Sequence, residues 1–223
     1  MLLMLFNFTD AYLHDIQKEE NGHSPLYSIQ KARRLSKKRR KMYLYARTMK
    51  NVLALIGSAA TSSANHILIE YIRSEARDIF QVTVYDRLKT LPHFNPEKSL
   101  EHPPSEITDL RNLIQDADGV IISTPEYVFS IPSGLKNAIE WCVATTVFSG
   151  KPLGIITAST SGLKGHEELK LIMHTLMANF TPETTLLIQG VKGKIDTHGA
   201  IIDIQTKESL QRFTKALFTL IGN

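Results

Sequence analysis

STPEYVFSIPSGLKNAIEW, residues 123–141, joins two kinds of periodicity across two prolines and a glycine. Before it, Gly119 to Ile122 is a short apolar run. After it, Leu135, Ala138, Ile139, Cys142 and Val143 recur at helical spacing. An apolar strand that ends at a proline and passes directly into a helix reads as one βα unit. Pro125 stiffens the strand exit, Pro132 is tolerated in a first helical turn, and Ser130 is placed to cap that helix. Tyr127 and Phe129 put rings near the strand end, either against a flat ligand or as ordinary packing aromatics.

The same alternation extends in both directions. Short runs rich in β-branched residues at 51–56, 81–85, 119–123, 153–158 and 184–189 predict strands, and helical periodicity at 64–78, 105–116, 132–147, 164–178 and 206–221 predicts the helices between and after them. Strands that alternate with helices predict an α/β domain with a doubly wound parallel sheet. Ligands of such a sheet sit beyond the carboxyl ends of its strands, where the strand order reverses. Three loops therefore matter: those after strands one, three and four.

The first of them, GSAATSSAN (residues 57–65), ends where a helix begins. Gly57 permits a tight exit, and Ser58, Thr61, Ser62, Ser63 and Asn65 set short polar groups beside unpaired helix N–H donors. That set suits a phosphate, or is an ordinary N-cap with surplus hydroxyls. No Gly-Lys-Ser/Thr ending follows, which disfavours a P-loop hydrolase, and one glycine does not make a dinucleotide fingerprint. The loop after strand four, ASTSGLKGHEEL (residues 158–169), offers hydroxyls with Gly162 and Gly165, whose amides are placed to approach the polar edge of a planar ring. Glu126 is a loop carboxylate able to accept or orient hydrogen bonds; Lys136, Glu140 and His166 read as exposed. The eight histidines form no HExxH or other ligand spacing, and no GxSxG elbow is present, so neither a metal site nor a serine nucleophile is expected.

Composition sets the remaining bounds. At 223 residues and 43% hydrophobic, the chain supports one substantial domain. No stretch approaches the roughly 20 apolar residues of a membrane span. The single cysteine, Cys142, lies on an apolar helix face and reads as a packing residue of a reducing, cytoplasmic compartment. The formal charge of +4 is uneven, because residues 1–48 carry +6 and the rest of the chain −2. Nucleic-acid binding would rest wholly on KARRLSKKRRK (residues 31–41), a like-charge block of the solvated kind, and no nucleic-acid or membrane partner is expected. Residues 1–48 read as a basic extension, disordered or upstream of a natural start at Met49, and residues 49–223 as the folded domain. Deleting the extension is expected to leave stability and ligand binding unchanged.

Residues 49–223 resemble the NADPH-dependent FMN reductase family, flavodoxin-like enzymes that include quinone, azo-dye and chromate reductases. The resemblance rests on Gly57, Ser58, Ser63 and Asn65 in the first loop. In the second it rests on Pro125, Glu126, Tyr127, Ser130, Pro132, Leu135 to Ile139 and Trp141, and in the third on Gly162 and Gly165. It implies a flavodoxin-like, doubly wound, five-stranded parallel sheet in a three-layer sandwich. It implies that Ser58, Ser63, Ala64 and Asn65 hold the phosphate of FMN, that Pro125, Glu126 and Tyr127 line its isoalloxazine, and that Ser159, Ser161 and Gly162 meet its pyrimidine edge. NADPH or NADH is the implied co-substrate, a quinone, azo compound, free flavin or similar small molecule the implied acceptor, and a homodimer or homotetramer the implied assembly. No catalytic side chain is implied, because the flavin carries the chemistry. The pattern breaks at Ala60 (arginine in the family), Val128-Phe129 (Asn-Gly), Ser133 (glycine), His166 (glycine) and Glu168 (arginine). Those breaks motivate an alternative: a flavodoxin-like electron carrier without NAD(P)H activity of its own.

Overall fold

In the three central strands, at 50–56, 119–124 and 153–159, side chains pointing to both faces are buried, which requires a sheet covered on both faces. The computed structural model describes residues 49–60 and 62–222; the expected extension at 1–48 lies outside the described residues. The strands are β1 (Lys50–Ile56), β2 (Phe80–Tyr85), β3 (Gly119–Thr124), β4 (Leu153–Ser159) and β5 (Thr185–Gln189). All pairs are parallel, in the order β2-β1-β3-β4-β5. The main helices are α1 (Ala64–Glu75), α2 (Ser105–Asp116), α3 (Ser133–Cys142), α4 (Leu163–Thr175) and α5 (Ile204–Gly222). Leu53, Leu55, Val120, Ile122, Leu153 and Ile155 pack under α2, α3 and α4. Val52, Ala54, Ile56, Ile121, Ile156 and Ala158 pack under α1 and α5. The result is the expected three-layer, doubly wound sandwich, and its strand order reverses between β1 and β3.

Three helices stop short of their expected ends. The helix read over 64–78 closes at Glu75, the one read over 132–147 at Cys142, and the one read over 164–178 at Thr175. At the second stop the buried Arg111 donates from Nε to the Trp141 carbonyl at 3.0 Å and from its other arm to the same carbonyl and to the Ser99 carbonyl. Its positive charge lies against the negative end of α3, which favours termination there. Residues 86–104, which carry no strong periodicity, form a 3-10 turn at Leu88–Thr90 and a one-turn helix at Pro96–Ser99. This segment is pinned by α3. Asn137 donates to the Pro92 carbonyl at 3.0 Å and accepts from the Phe94 amide at 2.7 Å, while the Trp141 indole N–H reaches the same Pro92 carbonyl at 2.9 Å. Phe94 stands edge-on to Trp141, centroids 5.4 Å apart.

Candidate functional site

The loops after β1, β3 and β4 meet at the strand-order switch. Gly57 and Thr124 fix the closest approach: the Gly57 amide donates to the Ser123 carbonyl at 2.8 Å, and a Cβ on Gly57 would fall 2.5 Å from Thr124 Oγ1. Only a glycine lets the two strand exits lie this close. Beyond it, Ser63 is the N-cap of α1 and its hydroxyl accepts from the His66 amide at 3.2 Å. The Ala64 and Asn65 amides precede any intrahelical acceptor, and the first turn of α1 contains no acidic residue. Ser58 is half-buried, and its hydroxyl accepts from the Ala60 amide at 3.3 Å. The arrangement favours an anion electrostatically.

The Asn65 side chain has another task. It is 2% exposed, donates from Nδ2 to the Ala158 carbonyl at 3.0 Å and accepts from Ser123 Oγ at 3.0 Å. It thus ties α1 to β3 and β4, and its main-chain amide is what remains for a phosphate.

Glu126, half-buried, is engaged rather than solvated. Its carboxylate accepts from the Gly165 amide at 2.8 Å and the Gly162 amide at 3.3 Å, so an acid from the loop after β3 caps α4. The glycine amides expected to face a ring edge are therefore directed at Glu126. Gly162, at φ +82°, supplies the left-handed residue before α4, and a Cβ on Gly165 would press on Glu126 at 3.3 Å. Glu168 on α4 answers in the opposite direction. It accepts from Ser130 Oγ at 2.7 Å and the Ile131 amide at 3.1 Å, and it lies 3.7 Å from Lys136. Ser130 accordingly does not cap α3; Pro132 is its N-cap, without a side-chain bond. Lys136, read as a free surface charge, joins this cluster.

Between the two carboxylates the chain makes a two-residue hairpin. The Tyr127 amide donates to the Ser130 carbonyl at 2.9 Å and the Ser130 amide to the Tyr127 carbonyl at 3.1 Å. Val128 (φ 52°) and Phe129 (φ 61°) are both left-handed, the pattern of a type I′ turn, for which Asn-Gly is the favoured pair. A β-branched residue at positive φ is a steric outlier, and each such residue costs about 1–3 kcal/mol. Tyr127, Val128 and Phe129 are 44%, 93% and 76% exposed. Tyr127 and Phe129 are therefore not packing aromatics.

His166, expected to be exposed, is 7% exposed, with Nδ1 2.9 Å from Thr157 Oγ1. Burial, reinforced by Lys170 and opposed by Glu167, holds its pKa below the usual histidine value. Cys142 is buried as expected, and burial pushes its thiol up to about 12. Pro125 is buried, Ser159 is half-buried with its hydroxyl 3.5 Å from the Glu126 carbonyl, and Ser161 is exposed at the mouth. The sequence thus identifies the three loops. It does not identify Glu168 or Thr124, whose partners lie far along the chain, or Thr157, which meets His166 only once α4 packs on β4. Among the described residues no helix is long and apolar enough to cross a membrane, and no group of three or more His, Cys, Asp and Glu converges.

Residues 50–192 match the family model for NADPH-dependent FMN reductases. The chain is 32% identical over 167 residues to the NADH-dependent flavin reductase subunit 2 of Lactobacillus johnsonii, covering 70% of this chain and 88% of that protein. It is 30% identical over 166 residues to the quinone reductase of Escherichia coli K12, covering 71% and 88%. Among solved structures, the flavoenzyme NAD(P)H:(acceptor) oxidoreductase of Paracoccus denitrificans superposes with a TM-score of 0.66 at 26% identity, over 78% of this chain and 98% of that one.

Proposed function

The chain belongs to the NADPH-dependent FMN reductase family, and from that premise we propose that it transfers electrons from NAD(P)H to a small planar acceptor such as a quinone or flavin, using FMN held at the β1/β3 switch. The observation that carries this reading is the anion-ready end of α1, which lies beside a strand exit that admits only glycine. FMN, when bound, supplies the two-electron chemistry between donor and acceptor. The residues supply place and shape. The amides of Ala64 and Asn65 with the hydroxyls of Ser58 and Ser63 receive the phosphate, and no first-turn acid opposes its charge. Pro125, Tyr127 and the main chain of Glu126 flank the isoalloxazine, and Ser159, Ser161 and Gly162 lie towards its pyrimidine edge. The Glu126 carboxylate is engaged with α4, so it positions the wall and takes no proton from substrate.

The overall reaction balances without side-chain acid or base. NAD(P)H releases a hydride, a quinone takes up two electrons and two protons, and the second proton comes from solvent. The reading includes a cytoplasmic homodimer or homotetramer. Support for assembly comes from the exposed apolar side chains of Val143 and Leu171 on the face that carries α3 and α4, and a sedimentation mass tests it.

Titrating flavin-free chain with FMN tests the site. Binding is expected to perturb the visible flavin spectrum and, at about a hundred times Kd, to stabilise the fold by about 2.7 kcal/mol. A melting temperature indifferent to FMN would remove the basis of the proposal.

A further inference from the structure

The turn at Val128-Phe129 has three properties that a mere connection does not need. Its two residues adopt left-handed φ values that Asn-Gly would adopt without steric conflict, and their apolar side chains are 93% and 76% exposed. The turn is nonetheless held at both ends, by Glu126 on the Gly162 and Gly165 amides and by Glu168 on Ser130 and Ile131. Strain that the surroundings hold in place marks positions where conformation serves function. The side chains begin one residue beyond Tyr127, at the carboxyl end of β3, where the planar ring of the cofactor is assigned.

We propose that Val128 and Phe129 form a fixed apolar lip that contacts the electron acceptor and selects planar aromatic acceptors over polar or ionic ones. The inference rests on the function proposed above and adds to it the residues that choose the acceptor. Contact with an aromatic acceptor covers apolar surface that is otherwise in water, and such coverage favours association in proportion to its area. Glu168 contributes by keeping the lip in place, as a positioning residue. Its carboxylate is turned towards Ser130, Ile131 and Lys136.

The test uses the full FMN-loaded protein and the turn variant V128N/F129G, with V128N alone as a second variant that keeps the ring of Phe129. Three measurements are made on each: equilibrium dialysis of menadione against the oxidised protein, kcat/KM for menadione and for ferricyanide, and sedimentation mass. The double variant is expected to bind menadione about tenfold more weakly, a loss of about 1.4 kcal/mol, and to lose kcat/KM for menadione by a similar factor. Ferricyanide turnover, FMN affinity and mass are expected to stay within about twofold of the parent, since a twofold change is well under 1 kcal/mol. V128N is expected to fall between parent and double variant. Equal losses on both acceptors, an unchanged menadione affinity, or a change of mass in place of a change of acceptor preference would overturn the proposal. Absence of NAD(P)H oxidation by the parent protein would instead count against the proposed function, so the two failures are distinguishable.

Discussion

Glu126 and Glu168 each hold the segment that carries the other. Glu126, in the loop after β3, accepts from the first amides around α4, and Glu168, in α4, accepts from Ser130 and Ile131 in the loop after β3. Two carboxylates of like charge coexist here because each faces N–H or O–H donors, and Lys136 lies 3.7 Å from Glu168. The exchange makes the walls of the site one rigid piece, although they come from loops 36–39 residues apart.

Glu168→Ala removes the acceptor for Ser130 Oγ and the Ile131 amide at once. Hydrogen bonds to a charged group contribute about 1.5–3 kcal/mol, and partial exposure of this carboxylate reduces the expected loss to about 1–2 kcal/mol. For a domain of this size that is about 2–8 °C in Tm. FMN affinity is expected to fall with it, whereas Lys136→Met, which removes a single longer and more exposed contact, should shift Tm much less. Differential scanning fluorimetry with and without FMN reads both.

Ala60→Arg restores the cation that the resemblant family carries in the phosphate loop. Ala60 is exposed beside Ser58, so an arginine enters without displacing a packed group. A partly solvated contact with the phosphate is expected to tighten FMN binding by about tenfold, or about 1.4 kcal/mol, and fluorescence quenching of the flavin measures it.

His166 couples stability to acid. Its folded pKa lies below the unfolded value of about 6.5, so the unfolded chain takes up the proton first as pH falls. Its contribution to stability is full above the unfolded pKa and is lost progressively below it. Tm is expected to drop between about pH 7 and pH 5, and His166→Gln should flatten that drop while keeping a polar partner for Thr157. An identical pH profile in parent and variant would contradict this account.

Cys142 is a packing residue in the α3 face, with a thiol pushed up to about 12 by burial. Native protein at neutral pH is expected to resist alkylation by iodoacetamide, and urea-unfolded protein to react fully. Mass spectrometry distinguishes the two, and rapid labelling of native protein would overturn the assignment.

The strands were legible in the sequence because each is a short apolar run bounded by turn residues, and the parallel sheet follows from their alternation with helices. Helix ends were less legible. Arg111, which meets the Trp141 carbonyl where α3 stops, lies 30 residues earlier in the chain. The stretch 123–141 combined two functions that pattern alone does not separate. Asn137 and Trp141 anchor residues 92–94, and Leu135, Ala138 and Ile139 fill the core, while Pro125 to Phe129 shape the mouth. His166 read as exposed because a polar residue at a helix start usually is; burial beside Thr157 came from the packing of α4 on β4. The partnership of Glu126 with Glu168 required the tertiary structure, since neither residue has a local partner that would announce it.

Steady-state oxidation of NADH and NADPH by the whole FMN-loaded chain, with a quinone as acceptor, tests the central claim most directly. The account predicts turnover with at least one of the two donors, parallel double-reciprocal lines when donor and acceptor are varied, loss of activity on removal of FMN, and its return when FMN is added back. A chain that binds FMN yet oxidises neither donor would be an electron carrier, and would contradict the assignment as a reductase.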